Sequence, residues 1–494
     1  MHNLKYLLAP WVVVLLEKKV LGIKEDSRQI KPGDLFVAIP GYHTDGRFFI
    51  DKAIAKGASA VLAETEKKNL DGSIYYRDNV PVIYLQKLSH IICEIASRFY
   101  DYPAKKLELV GITGTNGKTT ISHLIAQLVN LLGGRGAVMG TLGNGLYNEL
   151  LPTKNTTSSA IEIQNIFNFL LKKGANVVAM EVSSHGILEH RVSGMSFTAA
   201  VFTNLSRDHL DYHGNIKQYE LAKWQLFAKN NINQVIFNID DKVGLKWSQY
   251  IPDAITVSIE NNIKHEHMNR WLTATKISHH DLGSYIKFNS SWGSGEFSIK
   301  LIGLFNVINV LLAFTTLLSL NYPIKQLINC VSYLKSIPGR MEVFKAVNKP
   351  TVIVDYAHTP DALSKALTAV RLHYCKGNIW CLFGCGGDRD KGKRPLMGRI
   401  AEKLSDRVVI SDDNPRTELS QNIIDDILTG LVLPHKALII PNRFQAIKHM
   451  IRNAKNEDIL LIAGKGHENY QIFGKHRITY SDRLTVAHLL EIPI

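Results

Sequence analysis

The sequence predicts an α/β protein of three domains, and three observations carry that prediction. Short apolar runs alternate with helical stretches through the middle and last parts of the chain, the pattern of parallel strands joined by helical crossovers. The glycine-rich stretch GITGTNGKTT (111–120) follows an apolar run and opens a helix, the order of strand, phosphate loop and helix. The chain has 494 residues, room for roughly three domains of ordinary size.

The first domain is expected over 1–98 as a small α/β unit. KPGDLFVAIPG (31–41) reads as a strand between turn signals, and FIDKAIAKGASAVLAE (49–64) as helix, glycine stop and strand. No complete catalytic set occurs here, so a recognition role is expected. YLLAPWVVVLL (6–16) is too short to span a bilayer and carries a proline and no cleavage site. It reads as buried helix or strand, and the protein as cytoplasmic.

The central domain is expected over 99–338 as a parallel-sheet, ATPase-like unit. LELVGITGTNGKTTISHLIAQLVNLL (107–132) supplies strand, turn and helix, and NVVAMEV (176–182), AAVFTNL (199–205) and QVIFNI (234–239) supply further strands. Residues 255–300 are more polar and read as a β-rich insert. The last domain, 339–494, is expected to be Rossmann-like. PTVIVDYAHTPDAL (350–363), NIWCLFGCGGDRDKGKR (378–394), DRVVISDDNPR (406–416) and DILLIAGKGHE (458–468) are each an apolar run ending in a polar loop. Ligands of open α/β sheets bind at the carboxyl ends of strands, where all four loops fall.

Composition narrows the function. Lys and Arg total 58 against 44 Asp and Glu, a net charge of +14. The lysines are scattered, with only short runs such as KGKR (391–394), whereas nucleic-acid binding needs them clustered. An anionic small-molecule substrate is the expectation, with no nucleic-acid or membrane partner and a monomeric chain. The five cysteines form no CxxC pair, which fits free thiols in a reducing compartment.

In the phosphate loop, Gly111, Gly114 and Gly117 let backbone N–H groups turn toward an anion. Lys118 brings positive charge to the β- and γ-phosphates, and Thr119 a hydroxyl for magnesium. Ile112 stands where the general spacing has its first glycine, so the pattern is G-x-x-G-x-x-G-K-T. Hard oxygen ligands for magnesium are expected at the ends of the next strands. Glu181 ends one of them, and TNLSRDHLDYHG (203–214) brings His209 and two aspartates after another. Glu181 could also be a solvated loop carboxylate and His209 a packing histidine.

GTNGKTT, MEVSSHG (180–186), TNLSRDHLDYHG, YELAKWQLF (219–227), LIGLFNVINV (301–310), PGRME (338–342), DYAHTPDAL (355–363), GCGGDRDKGKRPLMG (384–398), DNPR and GKGHE stand in the order found in the Mur ligases. With DSR and GDLFVA in the first domain, the whole chain resembles that family, in its diaminopimelate-adding form. The resemblance implies an ATP-dependent amide ligase that adds meso-2,6-diaminopimelate to UDP-N-acetylmuramoyl-L-alanyl-D-glutamate in peptidoglycan synthesis. It implies ATP contacts from Gly114, Thr115, Asn116, Gly117, Lys118, Thr119, Thr120, Asn306, Arg340 and Asp355. Magnesium would be held by Thr119, Glu181, His209 and a carbamylated Lys223. From sequence alone, Lys223 reads as a surface helix lysine. For the nucleotide-sugar peptide the matching positions are Ser27, Tyr42, His43, Thr44, Asn155, Thr156, Thr157, Ser183, Glu189 and Arg191. Glu189 departs from the glutamine expected there.

The implied chemistry activates a carboxylate as an acyl phosphate, which an amine then attacks. Positioning and charge neutralisation carry most of such a transfer, a role for Lys118 and magnesium. His358 could contact phosphate, handle a proton or simply pack its loop. Diaminopimelate binding is implied for Arg389, Asp413, Asn414, Pro415, Arg416, Gly464 and Glu468. An arginine fork grips a carboxylate bidentately. Pro415 fixes its own φ and restricts Asn414, so Arg416 is expected on a stiff loop. Glu468 could pair with the distal ammonium, and Gly464 allows close backbone approach. The competing readings are a lysine-adding ligase, a folate polyglutamylating ligase, a P-loop regulatory ATPase and a nucleic-acid-binding protein.

Overall fold

The computed structural model describes residues 2–13, 17–41, 44–260, 269–281, 283–374 and 376–493. Tyr42, His43 and parts of the 6–16 and 255–300 segments lie outside the described residues. The chain divides into two compact units, one of 1–113, 133–200 and 222–234, the other of 114–132, 201–221 and 235–494.

The first unit contains a five-stranded sheet. Gly22–Lys24, Asp34–Ala38, Ala60–Glu64 and Val80–Leu85 run parallel in that order, and Ile74–Arg77 closes the edge antiparallel. The closing turn has Asp78 and Asn79 at φ 47° and 63°, the left-handed pair that a two-residue hairpin needs. Asp34–Ala38 is buried throughout, consistent with a parallel strand covered on both faces. The 6–16 run is not one buried element. Helix Leu4–Leu8 ends at Ala9, which is extended, and Val13 is 82% exposed. Pro10 cannot donate to the helix and pushes Ala9 out of helical geometry.

The same unit carries Glu149–Leu151, Gly143–Leu146, Gly136–Gly140, Val177–Glu181 and Glu108–Thr113, adjacent in that order. The last three are parallel. The register pairs Met180 with Gly111 and Glu181 with Ile112, so Glu181 ends its strand beside the start of the phosphate loop. Helix Ala160–Lys172 begins at Ser159, whose hydroxyl accepts from Glu162 N at 3.4 Å.

In the second unit, helix Lys118–Leu131 follows the phosphate loop and packs against Leu304–Ser319. The 255–300 region is β-rich among its described residues. Trp271–His280, Gly283–Ser290 and Gly295–Ile299 form an antiparallel meander.

The C-terminal sheet runs Glu342–Phe344, Thr351–Asp355, Ile459–Ala463, Ile379–Phe383, Arg407–Ile410, Leu438–Ile439, all parallel but the first. Successive side chains face opposite sides. Ile353, Cys381, Val408 and Leu461 join one core under helices Pro360–His373, Lys393–Leu404 and Ser420–Leu428. Val352, Trp380, Val409 and Leu460 join the other, under Arg443–Asn453 and Asp482–Leu490. This doubly wound arrangement gathers loops 356–359, 384–392, 411–419 and 464–469 at the carboxyl ends of its strands. Among the described residues no helix is long and apolar enough to cross a membrane.

Candidate active site

Two glycines of the phosphate loop take backbone that other residues rarely adopt, with φ 146° at Gly114 and 91° at Gly117. A Cβ on Gly117 would also lie 2.7 Å from Asn309 Oδ1. Thr203–Ser206 latches the loop from the side. Asn116 N donates to Asn204 Oδ1 at 3.0 Å, Thr203 Oγ1 donates to Asn116 O at 2.6 Å, and Ser206 N donates to Thr115 Oγ1 at 3.0 Å. Lys118 curls back over the loop, with Nζ 2.8 Å from the carbonyl oxygens of Gly114 and Thr115. Its charge therefore sits by a helix start, where the cation and the positive end of the helix dipole together favour a phosphate.

The C-terminal part of the same unit supplies polar groups beside this loop. Arg340 Nη2 donates to Thr119 Oγ1 at 3.3 Å, and its guanidinium lies 4.3 Å from the Tyr356 ring centre. Asp355 accepts from Met341 N at 2.7 Å and Ala357 N at 2.8 Å. Burial raises its pKa against the pull of Arg340 and these backbone donors. Asn116 Nδ2 donates to Asp361 Oδ2 at 3.3 Å. Asn306 is buried and turned back past the start of its helix, donating to Ile302 O at 2.8 Å. Asn309 donates to Asn306 Oδ1 at 3.3 Å, so the chain Asn306–Asn309 backs Gly117.

Asp208, one of the two aspartates in TNLSRDHLDYHG, is a focus of charge. It faces His209, whose Nε2 is 3.3 Å from the carboxylate, and also His358, Lys118 and Lys393. Burial would raise its pKa, but these positive or protonatable neighbours hold it below the ordinary carboxylate range. His358 meets Tyr356 O through Nδ1 at 2.8 Å. A carbonyl only accepts, so Nδ1 carries the proton and the neutral ring presents Nε2 as a base. Burial and Lys393 lower the His358 pKa, which keeps it neutral. Aspartates in a loop carry no sequence mark of this convergence, because it depends on four separate segments.

The 411–419 loop is held more tightly than proline alone would hold it. Asn414 Oδ1 accepts from Ile472 N at 3.1 Å, and Arg416 N donates to Ile472 O at 2.9 Å. Both bonds come from the hairpin Tyr470–Phe473/His476–Thr479, which the sequence reading did not anticipate. Arg416 itself is left-handed at φ 53°, a sparsely populated state for a residue with a side chain. Its Nη1 donates to Gly387 O at 2.9 Å and more weakly to Asn414 O at 3.5 Å. Among the described residues Nη2 and Nε have no hydrogen-bond partner, so the other edge of the fork is open. Glu468 Oε2 accepts from Lys465 Nζ at 2.8 Å and Asn414 Nδ2 at 3.0 Å. The carboxylate thus already has a fully buried lysine as countercharge. A Cβ on Gly464 would lie 2.7 Å from Asp413 Oδ2. Arg389 is exposed and bonded to Asp388 O at 2.9 Å.

In the first unit, Glu181 Oε1 accepts from Thr141 N at 2.8 Å and Oε2 from Thr141 Oγ1 at 3.1 Å. Thr141 Oγ1 is 3.1 Å from Thr156 Oγ1. Thr157 Oγ1 donates to Ser183 Oγ at 3.0 Å and accepts from Ser183 N at 2.9 Å. Arg191 bonds through Nη1 to Thr157 O and through Nε to Glu189 Oε2 at 3.1 Å. Glu189 therefore faces the arginine of this cluster. Asn155 begins the same segment, while Ser27 is buried two residues after Glu25. Burial raises the Glu25 pKa, opposed by its bond to Ser159 and by Arg191. Thr44 is exposed. Lys223 is only 1% exposed, which corrects its reading as a surface lysine. The helix Ile216–Lys229 turns that side chain inward, a burial that one residue in a polar helix does not announce.

Taken singly, the Glu181 carboxylate in the first unit and the Thr119 hydroxyl in the second are oxygen donors of the hard kind that magnesium takes. Among the described residues no cluster of three or more His, Cys, Asp or Glu forms a cation site by itself.

Three family models match this chain. The Mur ligase catalytic domain matches 19–100, the Mur ligase middle domain 112–317 and the Mur ligase glutamate ligase domain 339–466. A solved UDP-N-acetylmuramoyl-L-alanyl-D-glutamate–2,6-diaminopimelate ligase is 34% identical, covering 99% of both chains with a TM-score of 0.70. MurF ligase from Thermotoga maritima in complex with ADP is 16% identical, covering 96% of this chain and 97% of its own, at 0.59. Folylpolyglutamate synthase from Mycobacterium tuberculosis, complexed with ADP and AMPPCP, is 17% identical, covering 75% and 91%, at 0.60. The last two share the fold. The chain belongs to the Mur ligase family, the ATP-dependent, ADP-forming ligases of peptidoglycan synthesis.

Proposed function

We propose that this ligase joins meso-2,6-diaminopimelate to UDP-N-acetylmuramoyl-L-alanyl-D-glutamate through an acyl phosphate. The observation that carries the choice of amine is the half-satisfied guanidinium of Arg416. One edge is fixed on Gly387 O and the other is open, on a loop tied to a hairpin. A second carboxylate, present in diaminopimelate and absent from lysine, is the group that such a fork grips. Asp413, Asn414, Pro415, Gly464, Glu468 and Arg389 complete the amine site, with the countercharge of Lys465 setting how strongly Glu468 draws the distal ammonium.

The nucleotide-sugar peptide is assigned to the first unit, over Ser27, Tyr42, His43, Thr44, Asn155–Thr157, Ser183, Glu189 and Arg191. ATP is assigned to Gly114–Thr120, Asn306, Arg340 and Asp355. Asn306 backs Gly117, and Asp355 positions the Met341 and Ala357 backbone. Magnesium, when bound to Thr119, Glu181, His209 and carbamylated Lys223, would neutralise charge on the transferring phosphoryl group. A lysine with a buried amine suits carbamylation, since the modification replaces a costly buried ammonium with an anionic ligand. Lys118 gives up its two carbonyl contacts for phosphate oxygens as charge develops there. His358 Nε2 accepts the amine proton, with Asp208 stabilising the imidazolium. The reading takes domains 1–98, 99–338 and 339–494, small-molecule partners only, and a monomeric, cytoplasmic enzyme.

The test is orthophosphate release with ATP and the nucleotide dipeptide, adding meso-diaminopimelate, L-lysine or no amine. Release with diaminopimelate alone supports the reading. Equal or greater release with L-lysine overturns it, and release without any amine favours a regulatory ATPase.

A further inference from the structure

We propose that Arg394 and Glu418 are positioning residues that set the place of the Arg416 guanidinium, and through it the choice of amine. The inference rests on Arg416 being the carboxylate grip proposed above.

Arg416 is aimed by a carbonyl on another loop, so the separation of the two loops fixes where its open edge lies. Between them runs a row of bonds. Gly387 N donates to Asn414 O at 3.0 Å, Asp388 N to Glu418 Oε1 at 2.6 Å, and Thr417 Oγ1 to Asp388 Oδ1 at 2.7 Å. A Cβ on Gly387 would collide with Pro415 O, so the loops touch through bare backbone. Arg394 spans both. Nη2 donates to Gly386 O at 3.3 Å and to Glu418 Oε1 at 2.8 Å, while Nη1 donates to Glu418 Oε2 at 3.0 Å and Asp426 Oδ2 at 2.8 Å. One planar group thus measures the distance from the 384–389 loop to the 411–419 loop.

Stability alone is a poor reason for this cluster. The Arg394 side chain is fully buried, and among the described residues its Nε has no partner. It also places a cation in the first turn of helix Lys393–Leu404, where the helix dipole disfavours it. An ion pair on a desolvated cation often adds little net stability. Bidentate pairing to Glu418 fixes both the distance and the plane.

Kinetics of Glu418→Gln and Arg394→Lys test the proposal, read as kcat and KM for meso-diaminopimelate, L-lysine and ATP beside thermal melts. Thr417→Val, at an exposed position, covers the case in which the buried variants fail to fold. Met450→Ala, in the core on the opposite sheet face, controls for lost stability alone. The expected result is a diaminopimelate KM raised tenfold or more in the first two and two- to threefold in Thr417→Val. Preference over L-lysine falls by the same factor, with kcat and the ATP KM within twofold of wild type. A wild type that favours diaminopimelate, with variants that keep its full preference and track Met450→Ala, overturns this inference alone. A wild type without that preference overturns the reading of Arg416 first and this inference with it.

Discussion

The phosphate loop and the 411–419 loop both end a strand, yet they are built differently. The first is a local object. Its glycines, its lysine and its helix start lie within ten consecutive residues, and Thr203–Ser206 latches it from one side. The second is assembled from afar. Arg416 depends on Gly387 in one loop and on Ile472 in a hairpin, and its own φ is left-handed without being glycine. Under the proposed function, phosphate is met by a largely local device and the amine by a loop whose shape distant residues tune.

The largest expected effect breaks the scaffold behind the second loop. Arg443 and Asp482 form a fully buried pair, and Arg443 Nη2 also holds Ala463 O at 2.7 Å, just before Gly464. Asp482→Ala leaves that cation unpaired, and urea unfolding should show a loss of about 3–5 kcal/mol. The phosphate loop breaks through a single residue. Lys118→Ala should lower kcat by about 10²–10³-fold, the usual cost of removing one charge-stabilising donor, with melting nearly unchanged. Arg416→Ala should raise the diaminopimelate KM about 10- to 100-fold, as expected for hydrogen bonds to a charged group. Its ATP KM should stay at the wild-type value.

A pH-dependent effect sharpens the comparison. Burial, with Arg340, Arg483 and Lys465 nearby, pushes the His467 pKa down to about 3. The unfolded value is about 6.5, so the unfolded chain binds the proton first. His467 therefore costs stability as pH falls from about 6.5 toward 3, and none above 6.5. Unfolding free energy followed over that window should decline in wild type and flatten in His467→Gln. Equal slopes would place the acid sensitivity elsewhere.

The same contrast explains how much could be read in advance. The four inner strands of the C-terminal sheet were legible because both faces are covered, so apolar runs are continuous, as in Ile459–Ala463, whereas the short edge strands Glu342–Phe344 and Leu438–Ile439 carry no such run. The Gly114 and Gly117 turn was legible because left-handed backbone leaves a glycine in the sequence. Arg416 leaves no such mark, since a hairpin 55 or so residues away enforces its conformation. Asp208 gathers Lys118, His358 and Lys393 from three other segments, and no spacing encodes that. Lys223 looked like any helix lysine until the fold buried it. The Asn309 contact gives Gly117 a second reason to lack a side chain, and only packing reveals it.

The central claim is that acid activation and amine selection reside in separate loops. Trapping the acyl phosphate as a hydroxamate, with ATP, nucleotide dipeptide and hydroxylamine but no amino acid, tests it most directly. The account predicts wild-type trapping in Arg416→Ala and almost none in Lys118→Ala. Trapping that falls in Arg416→Ala as far as its diaminopimelate ligation does would contradict it.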